Sequence, residues 1–249
     1  MQPSMVVSQE EWTAARRALL LKEKAHMRAG DALAEERRAL PWMKLEKTYV
    51  FDTEHGRKTL AELFGDHSQL IVHHFMFAPE WDAACPGCSF QAEHVDGPAP
   101  HLEQHNVSIV GVSRAPLAKI LVYRERMGWH FPWVSSFAGD FNYDFHVSFR
   151  KEQVAQGKID YNFGTITTDP RYIDEELPGL SVFARDEAGE VFLTYSTYAR
   201  GLDALLDTHH YLDVTPEGRN RTAYPNWPKR HDEYPGGVRQ SDKRPCHES

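Results

Sequence analysis

Three cysteines in 249 residues are too few for a disulfide-stapled secreted scaffold. No apolar run approaches the ~20 residues that a membrane helix needs. The N-terminus MQPSMVVSQEEW has no basic segment ahead of an apolar core, so no signal peptide is expected. Basic residues are in deficit, with 28 Lys and Arg against 36 Asp and Glu and a formal net charge of −8. Phosphate contacts dominate nucleic-acid binding, and no basic stripe offers them here, so nucleic acid is not an expected partner. The chain also lacks a G-x-S-x-G elbow, a glycine-rich phosphate loop and a second C-x-x-C. What remains is a cytoplasmic protein in a reducing setting, where a cysteine pair is kept for chemistry or metal.

The composition is that of a folded protein, 41% hydrophobic and 26% charged, and the length suits one domain with additions. Ser8 with Glu11 reads as a capping box that opens a long, charged, Ala- and Leu-rich helix. It should run to about Arg38, with a break or kink at Gly30-Asp31, because Pro41 disfavours continuation. Such an arm, residues 1–42, needs a surface to lie on, in its own subunit or in a homodimer partner.

Residues 43–215 follow as an α/β domain. Strands are expected at 47–52, 69–77, 107–113 and 133–135. Helices are expected at 59–64, 89–105 (bent at 97–100) and 116–127. A loop-rich insertion covers about 140–178. A hairpin at 180–185 and 190–196 turns through Asp186-Glu187-Ala188-Gly189, and a last helix covers 202–212. Early strands alternate with helices and a hairpin closes the order, which gives a mixed sheet covered by helices on both faces. Residues 216–249 read as an extended tail, most plainly from Pro225 on.

The chemistry is concentrated in QLIVHHFMFAPEWDAACPGCSFQAEHV, residues 69–95. Cys85 follows a strand and opens a helix. The first helical N–H groups point at that position, and the helix end favours an anion there, so its pKa should fall below the usual ~8.5. Cys88, one turn on, can reach Cys85 and form a disulfide. In that reading Cys85 attacks and the more buried Cys88 resolves the mixed disulfide. Two other readings stand beside it. A zinc site needs four ligands, and the spacings to His94 and His101 fit no standard module, so no metal is expected. Two inert thiols remain the plainest alternative.

WDAACPGC at a strand-to-helix junction resembles the active site of the thioredoxin superfamily, in which a Trp commonly stands where Trp81 does. LPGLSVF, residues 177–183, resembles the segment that begins with the superfamily's cis-proline. The resemblance therefore makes Pro178 a cis-proline candidate beside Cys85. EWTAARRALLLKEKAHMRAGDALAEERRALPW, HHFMFAPEWDAACPGCSF, GVSRAPLAKI, GWHFPWVSS and FNYDFHVSF resemble, over about residues 8–225, a thioredoxin-like family of unknown function described as dithiol-disulfide oxidoreductases. This implies a thioredoxin-like fold, no organic cofactor, a protein or small-molecule disulfide as substrate and a thiol reductant.

The sequence also departs from its models. GWHFPWVSS resembles a peroxiredoxin segment and Pro86 follows Cys85 as in those enzymes, so a peroxiredoxin-like thiol peroxidase is the second reading. But Asp82 stands where those enzymes carry Thr or Ser. A non-catalytic binding protein is the third reading. Arg114, after the strand VSIVGVS, is either a candidate anion-binding group or a surface charge or structural ion pair. Thioredoxins bury an Asp on the strand before the C-x-x-C, and LIVHHFMF has none. His73 and His74, on opposite faces of that strand, read as hydrogen-bonded core histidines, with one of them a candidate proton relay to Cys88. Trp133 and the aromatics around it (Trp129, Phe131, Phe137, Phe141, Tyr143, Phe145, Phe149) form either core or an apolar wall for substrate. Cys246 in the tail reads as a bystander.

Overall fold

The computed structural model describes residues 5–157, 159–164, 175–219 and 227–236. The chain divides into two units after Pro41. The first contains the helix α1, Gln9–Arg38, 30 residues with no buried side chain. Its capping box forms as expected: Glu11 N–H donates to Ser8 Oγ at 3.3 Å and Ser8 N–H to Glu11 Oε2 at 2.9 Å. The helix passes unbroken through Gly30, contrary to the expected break, and stops before Pro41.

The second unit is built on one sheet of eight strands: β1 (Met43–Lys44), β2 (Val50–Thr53), β3 (Gly56–Thr59), β4 (Gln69–His74), β5 (Val107–Ser113), β6 (Trp133–Ser135), β7 (Gly179–Arg185) and β8 (Val191–Tyr198). Their order is β1-β8-β7-β4-β5-β6-β2-β3. β4, β5 and β6 run parallel, while β7 and β8 run antiparallel beside β4. A strand, helix, parallel strand and helix followed by an antiparallel hairpin on the other side of the first strand is a thioredoxin-like arrangement. The short strands β1 and β3 leave no signal in the sequence. Each is two to four residues long, too short for an alternation to register.

Alternation along the central strands sends side chains to two cores. On one face Phe75, Phe77, Trp129 and Trp133 pack with Ile120, Tyr123 and Met127 of α4 (Leu117–Met127) and with Cys88. On the other, Leu70 and Val72 of β4, Val110 and Val112 of β5 and Phe183 of β7 meet Phe141 of α5 (Phe141–Asp144) and Phe64 of a short 3-10 turn. Trp133 is 1% exposed and donates its indole N–H to Ser113 Oγ at 2.9 Å. It is core, so the expectation of a substrate wall at Trp133 is not met. Trp129, Phe131, Phe141, Phe145 and Phe149 are buried as well, whereas Phe137 is exposed.

Two expected helices are each divided. Residues 89–105 form the end of α2 (Pro86–Ala92), a turn, and α3 (Ala99–Glu103). The break leaves Asp96 free to accept from the N–H groups of His130 at 2.9 Å and Phe131 at 2.8 Å, tying the turn to the entry of β6. Residues 202–212 divide at Leu206 between a 3-10 segment and α7 (Asp207–Asp213). A further short helix, α6, covers Lys151–Ala155.

Gly179, the first residue of β7, is closely packed. A Cβ there would lie 2.8 Å from Tyr198 Cδ1 and 3.0 Å from Val147 Cγ1. Gly179→Ala is therefore expected to destabilise the protein by about 1–3 kcal/mol, read as a lower urea midpoint at unchanged slope.

Candidate functional site: a dithiol at the start of α2

After β4 the chain leaves the sheet through Phe75, whose N–H donates to Val112 O at 2.9 Å, and Phe77, whose carbonyl accepts from Ala115 N–H at 2.8 Å. The next turn is fixed from outside. Lys119 Nζ donates to the carbonyls of Pro79 at 2.8 Å and Trp81 at 2.7 Å. Cys85 N–H then returns to Met76 O at 3.1 Å. Cys85 is the extended N-cap residue of α2, and Pro86 takes the first helical position, where its missing N–H costs nothing. Ser89 locks this turn. Its N–H and hydroxyl both donate to Cys85 O, at 2.9 and 2.8 Å, and its oxygen meets Tyr123 Oη at 2.9 Å.

The two thiols are free and unequally placed: Cys85 is partly exposed, and Cys88 is buried at 2% exposure. Met76 N–H points at Cys88 Sγ, 3.5 Å away. The Cys88 thiol, as hydrogen-bond donor to Cys85, is the largest influence on Cys85. Burial opposes it, and the N–H groups of Cys88 and Gly87 and the charge of Arg230 add to it, leaving Cys85 lowered to about 6. The helix N–H groups act by electrostatic reach, since none closes a full cap hydrogen bond to the sulfur. Cys88 moves the other way. Its bond to Cys85 and its burial push its thiol well above the usual range.

Trp81 is partly buried against the core that contains Cys88, and Asp82 is exposed to solvent. Pro178 stands immediately before β7, partly exposed, with its carbonyl accepting from Tyr161 Oη at 2.6 Å. The bond preceding it is trans, so the expected cis isomer is not found; among the described residues the one cis bond is Trp227–Pro228. Arg114 is committed elsewhere. It donates to Glu176 Oε1 at 2.7 Å and covers the Tyr143 ring at 4.7 Å, so it is not a free anion-binding group. Cys246 lies outside the described residues.

His73 and His74 do face opposite sides of β4. His74 meets Ser181 Oγ at 2.8 Å among Phe141 and Phe145, far from α2's face of the sheet. His73 lies on the α2 side, against Phe75. Neither of its ring nitrogens completes a hydrogen bond, although the Gln91 side chain is near enough to favour the charged ring slightly. Burial lowers His73 to about 4 and His74 to about 3, so both rings are neutral at pH 7.

Two residues at the site have no signal in the sequence. Glu176, two residues before Pro178, is 1% exposed. It is held by Arg114 and by Ser148 Oγ at 2.6 Å. Burial raises its carboxyl to about 7, and its charge is felt at Cys88. Arg230 arrives from a stretch expected to be extended tail. Residues 227–236 are ordered instead, and Arg230 Nε donates to Tyr123 Oη at 2.8 Å and to Ala84 O at 3.2 Å. A cavity of 430 Å³ lies elsewhere, lined by Thr53, Lys58, Glu62, Glu103 and Arg124 with no cysteine. Among the described residues, no three His, Cys, Asp or Glu side chains gather as a metal site, and no helix is long and apolar enough to cross a membrane.

If the Cys88 thiol is the main support of the Cys85 thiolate, removing it has a defined sign. Absorbance of the reduced protein at 240 nm should show thiolate appearing with a midpoint near 6. In Cys88→Ala that midpoint should rise by about one unit or more.

Several solved structures are similar to this chain at low identity. Peroxidoxin BcpB from Mycobacterium tuberculosis is 19% identical, with a TM-score of 0.45, over 67% of this chain and 93% of that one. A cysteine-to-serine mutant of Xanthomonas campestris peroxiredoxin Q is 16% identical, with a TM-score of 0.43, over 65% and 90%. The mitochondrial 2-cys peroxiredoxin from Plasmodium falciparum is 14% identical, with a TM-score of 0.40, over 70% and 95%. The strand order defines the fold without them. No curated protein matches the chain in sequence. One family profile does match, over residues 1–234, and with that span the chain belongs to the family described as bacterial protein of unknown function (DUF899).

Proposed function

We propose that this chain is a dithiol–disulfide oxidoreductase, with Cys85 as nucleophile and Cys88 as resolving thiol. The observation that carries this reading is the opposite displacement of the two thiols, one lowered to about 6 at the surface and one raised in the core. At pH 7 roughly nine-tenths of Cys85 is then thiolate, while Cys88 keeps its proton.

In the forward reaction the Cys85 thiolate attacks one sulfur of a disulfide, R–S–S–R′. The Cys85–S–R bond forms and R′–S⁻ leaves. Cys88 then loses its proton, attacks Cys85 Sγ and expels R–S⁻. The product is the Cys85–Cys88 disulfide, and the substrate has taken two electrons and, after protonation, two protons. A thiol reductant resets the pair, and no bound cofactor takes part. Glu176 is the proton acceptor that best fits Cys88: buried, felt electrostatically by that thiol, and poised at about 7. His73 fits less well, because burial holds its proton affinity far below neutral. Trp81, four residues before Cys85, and Pro178, at the entry of β7, are the residues proposed to meet the substrate. Substrates are protein or small-molecule disulfides, in a reducing compartment such as the cytoplasm.

Reduction of insulin and of hydroxyethyl disulfide by wild type, Cys85→Ser and Cys88→Ser tests the assignment. Wild type should turn over both, Cys85→Ser neither, and Cys88→Ser should stop as a mixed disulfide visible by mass. Turnover of hydroperoxide, surviving in Cys88→Ser with added thiol, would replace this reading with a thiol peroxidase. No turnover of any of these substrates would leave a binding protein. Within the same assay Glu176→Gln, which keeps the hydrogen bonds but not the charge, should slow release of the mixed disulfide about 100-fold at pH 7.

A further inference from the structure

Residues 227–236 lie against the helix that carries the cysteines and are held at four points. Trp227 stands edge-on to Phe90 of α2 at 5.2 Å and also meets His209 of α7. Arg230 donates to the Ala84 carbonyl through two nitrogens and to Tyr123 Oη. His231 Nδ1 meets a Glu93 carboxylate oxygen at the end of α2 at 2.6 Å. Asp232, with its side chain 3% exposed, makes a two-bond pair with Arg126 of α4, at 2.8 Å from Nε and 3.1 Å from Nη2. Paired geometry of this kind is the strong form of an ion pair.

One of these anchors faces the chemistry. Ala84 directly precedes Cys85, so Arg230 brings a cation to the sulfur whose charge changes during exchange. The titratable and charged groups near Arg230 come from the elements packed around the strap. α2 presents Cys88 and, at its far end, Glu93; α4 presents Tyr123 and Arg126; the segment itself adds Glu233, bonded to Arg230 at 2.7 Å, with His231 and Asp232 beyond. Glu233 is exposed and offsets part of the Arg230 charge, whereas Arg230 is partly buried and bonded to the cysteine turn itself.

We propose that residues 227–236 form a redox-linked strap, in which Arg230 is a positioning residue for the Cys85 thiolate and the strap's hold on α2 weakens when Cys85 enters a disulfide. This rests on the dithiol reading of the site. The coupling is reciprocal by necessity: a cation that favours the thiolate over the neutral sulfur is held more firmly by the thiolate, by the same factor. When Cys85 attacks a disulfide substrate, its electron pair becomes the new S–S bond and its negative charge departs with the substrate's other sulfur. After Cys88 has given up its proton and displaced the first sulfur, the Cys85–Cys88 disulfide carries no charge. The attraction of Arg230 for the sulfur is then gone, while the Asp232–Arg126 and His231–Glu93 contacts remain. The strap loosens at the cysteine turn and stays tethered beyond it.

The test uses the full chain, with alkylation of the reduced protein by iodoacetamide across pH in wild type, Arg230→Met, Arg230→Lys and Asp232→Asn. All are compared at the same pH, so titration of His231 enters each profile alike. Arg230→Met should raise the Cys85 midpoint by about half a unit, roughly a threefold loss of thiolate at pH 6, and Arg230→Lys should restore most of it. Asp232→Asn, which frees the strap but keeps the arginine, should move the midpoint in the same direction. Hydrogen exchange of peptides covering 227–236 should be about threefold faster in the disulfide form made with hydroxyethyl disulfide than in the reduced form, with the difference lost in Arg230→Met. An Arg230→Met midpoint equal to wild type, or equal exchange in both redox forms, overturns the strap. Should Arg230→Met fail to fold, seen as alkylation of Cys88 too, the Asp232→Asn midpoint and the wild-type exchange decide. Turnover of hydroxyethyl disulfide by wild type judges the dithiol reading separately, since the alkylation midpoints require none.

Discussion

Two unequal sulfur environments, one buried and one at the edge of the core, govern this site. Cys88 sits among Phe75, Phe77 and Trp133, where a charge is costly, so it keeps its hydrogen and donates it outward. Cys85 sits at the edge of the same core, where N–H groups and a guanidinium can meet a charge, so it gives its hydrogen up. Each thiol strengthens the displacement of the other, and burial adds to that of Cys88. The local architecture preserves the distance between them. Pro86 starts the helix, Ser89 binds the Cys85 carbonyl twice over, and Tyr123 links that serine to Arg230.

Much of the scaffold was legible because its signals are local. The Ser8–Glu11 box marks the start of α1, a β-branched run marks β5 to the residue, and a strand, a proline and two cysteines one turn apart mark the site. The features that were not legible depend on contacts across long stretches of chain. Glu176 meets Arg114, 62 residues earlier, and Ser148, 28 residues earlier; Arg230 meets Tyr123, 107 residues earlier. Nothing in the neighbourhood of either residue announces such a partner. Trp133 failed as a substrate wall for a related reason. An aromatic cluster in sequence does not say which rings the sheet will cover. Pro178 shows the limit of resemblance, since a motif transfers a position beside β7 without transferring the isomer of its peptide bond.

The carboxylate missing from β4 has a physical counterpart. A buried acid needs hydrogen-bond donors to remain in the core, and a β4 position between two apolar faces offers few. The entry of β7 offers several, because the isolated bridge between Ser148 and Glu176 brings a hydroxyl alongside and Arg114 closes the other oxygen. The β4 histidines occupy the vacant role only in position. With neutral rings enclosed by Phe75 on one face and Phe141 and Phe145 on the other, they behave as packing groups of the central strand.

For the dithiol couple proposed above, the separation of the two thiols also sets a proton stoichiometry. Below the Cys85 value of about 6 the reduced pair holds two protons that the disulfide lacks, and above it only one, until Cys88 itself ionises far higher. A two-electron couple that takes up one proton shifts by about 30 mV per pH unit, and one that takes up two by about 60 mV. Across the neutral range the Cys85–Cys88 couple therefore follows pH half as steeply as an ordinary dithiol whose two thiols both stay protonated. A rise in pH from 7 to 8 makes such ordinary dithiols stronger reductants relative to this one. Against a fixed ratio of them, electrons then flow toward Cys85 and Cys88, and the protein moves toward its reduced form as its surroundings become more alkaline.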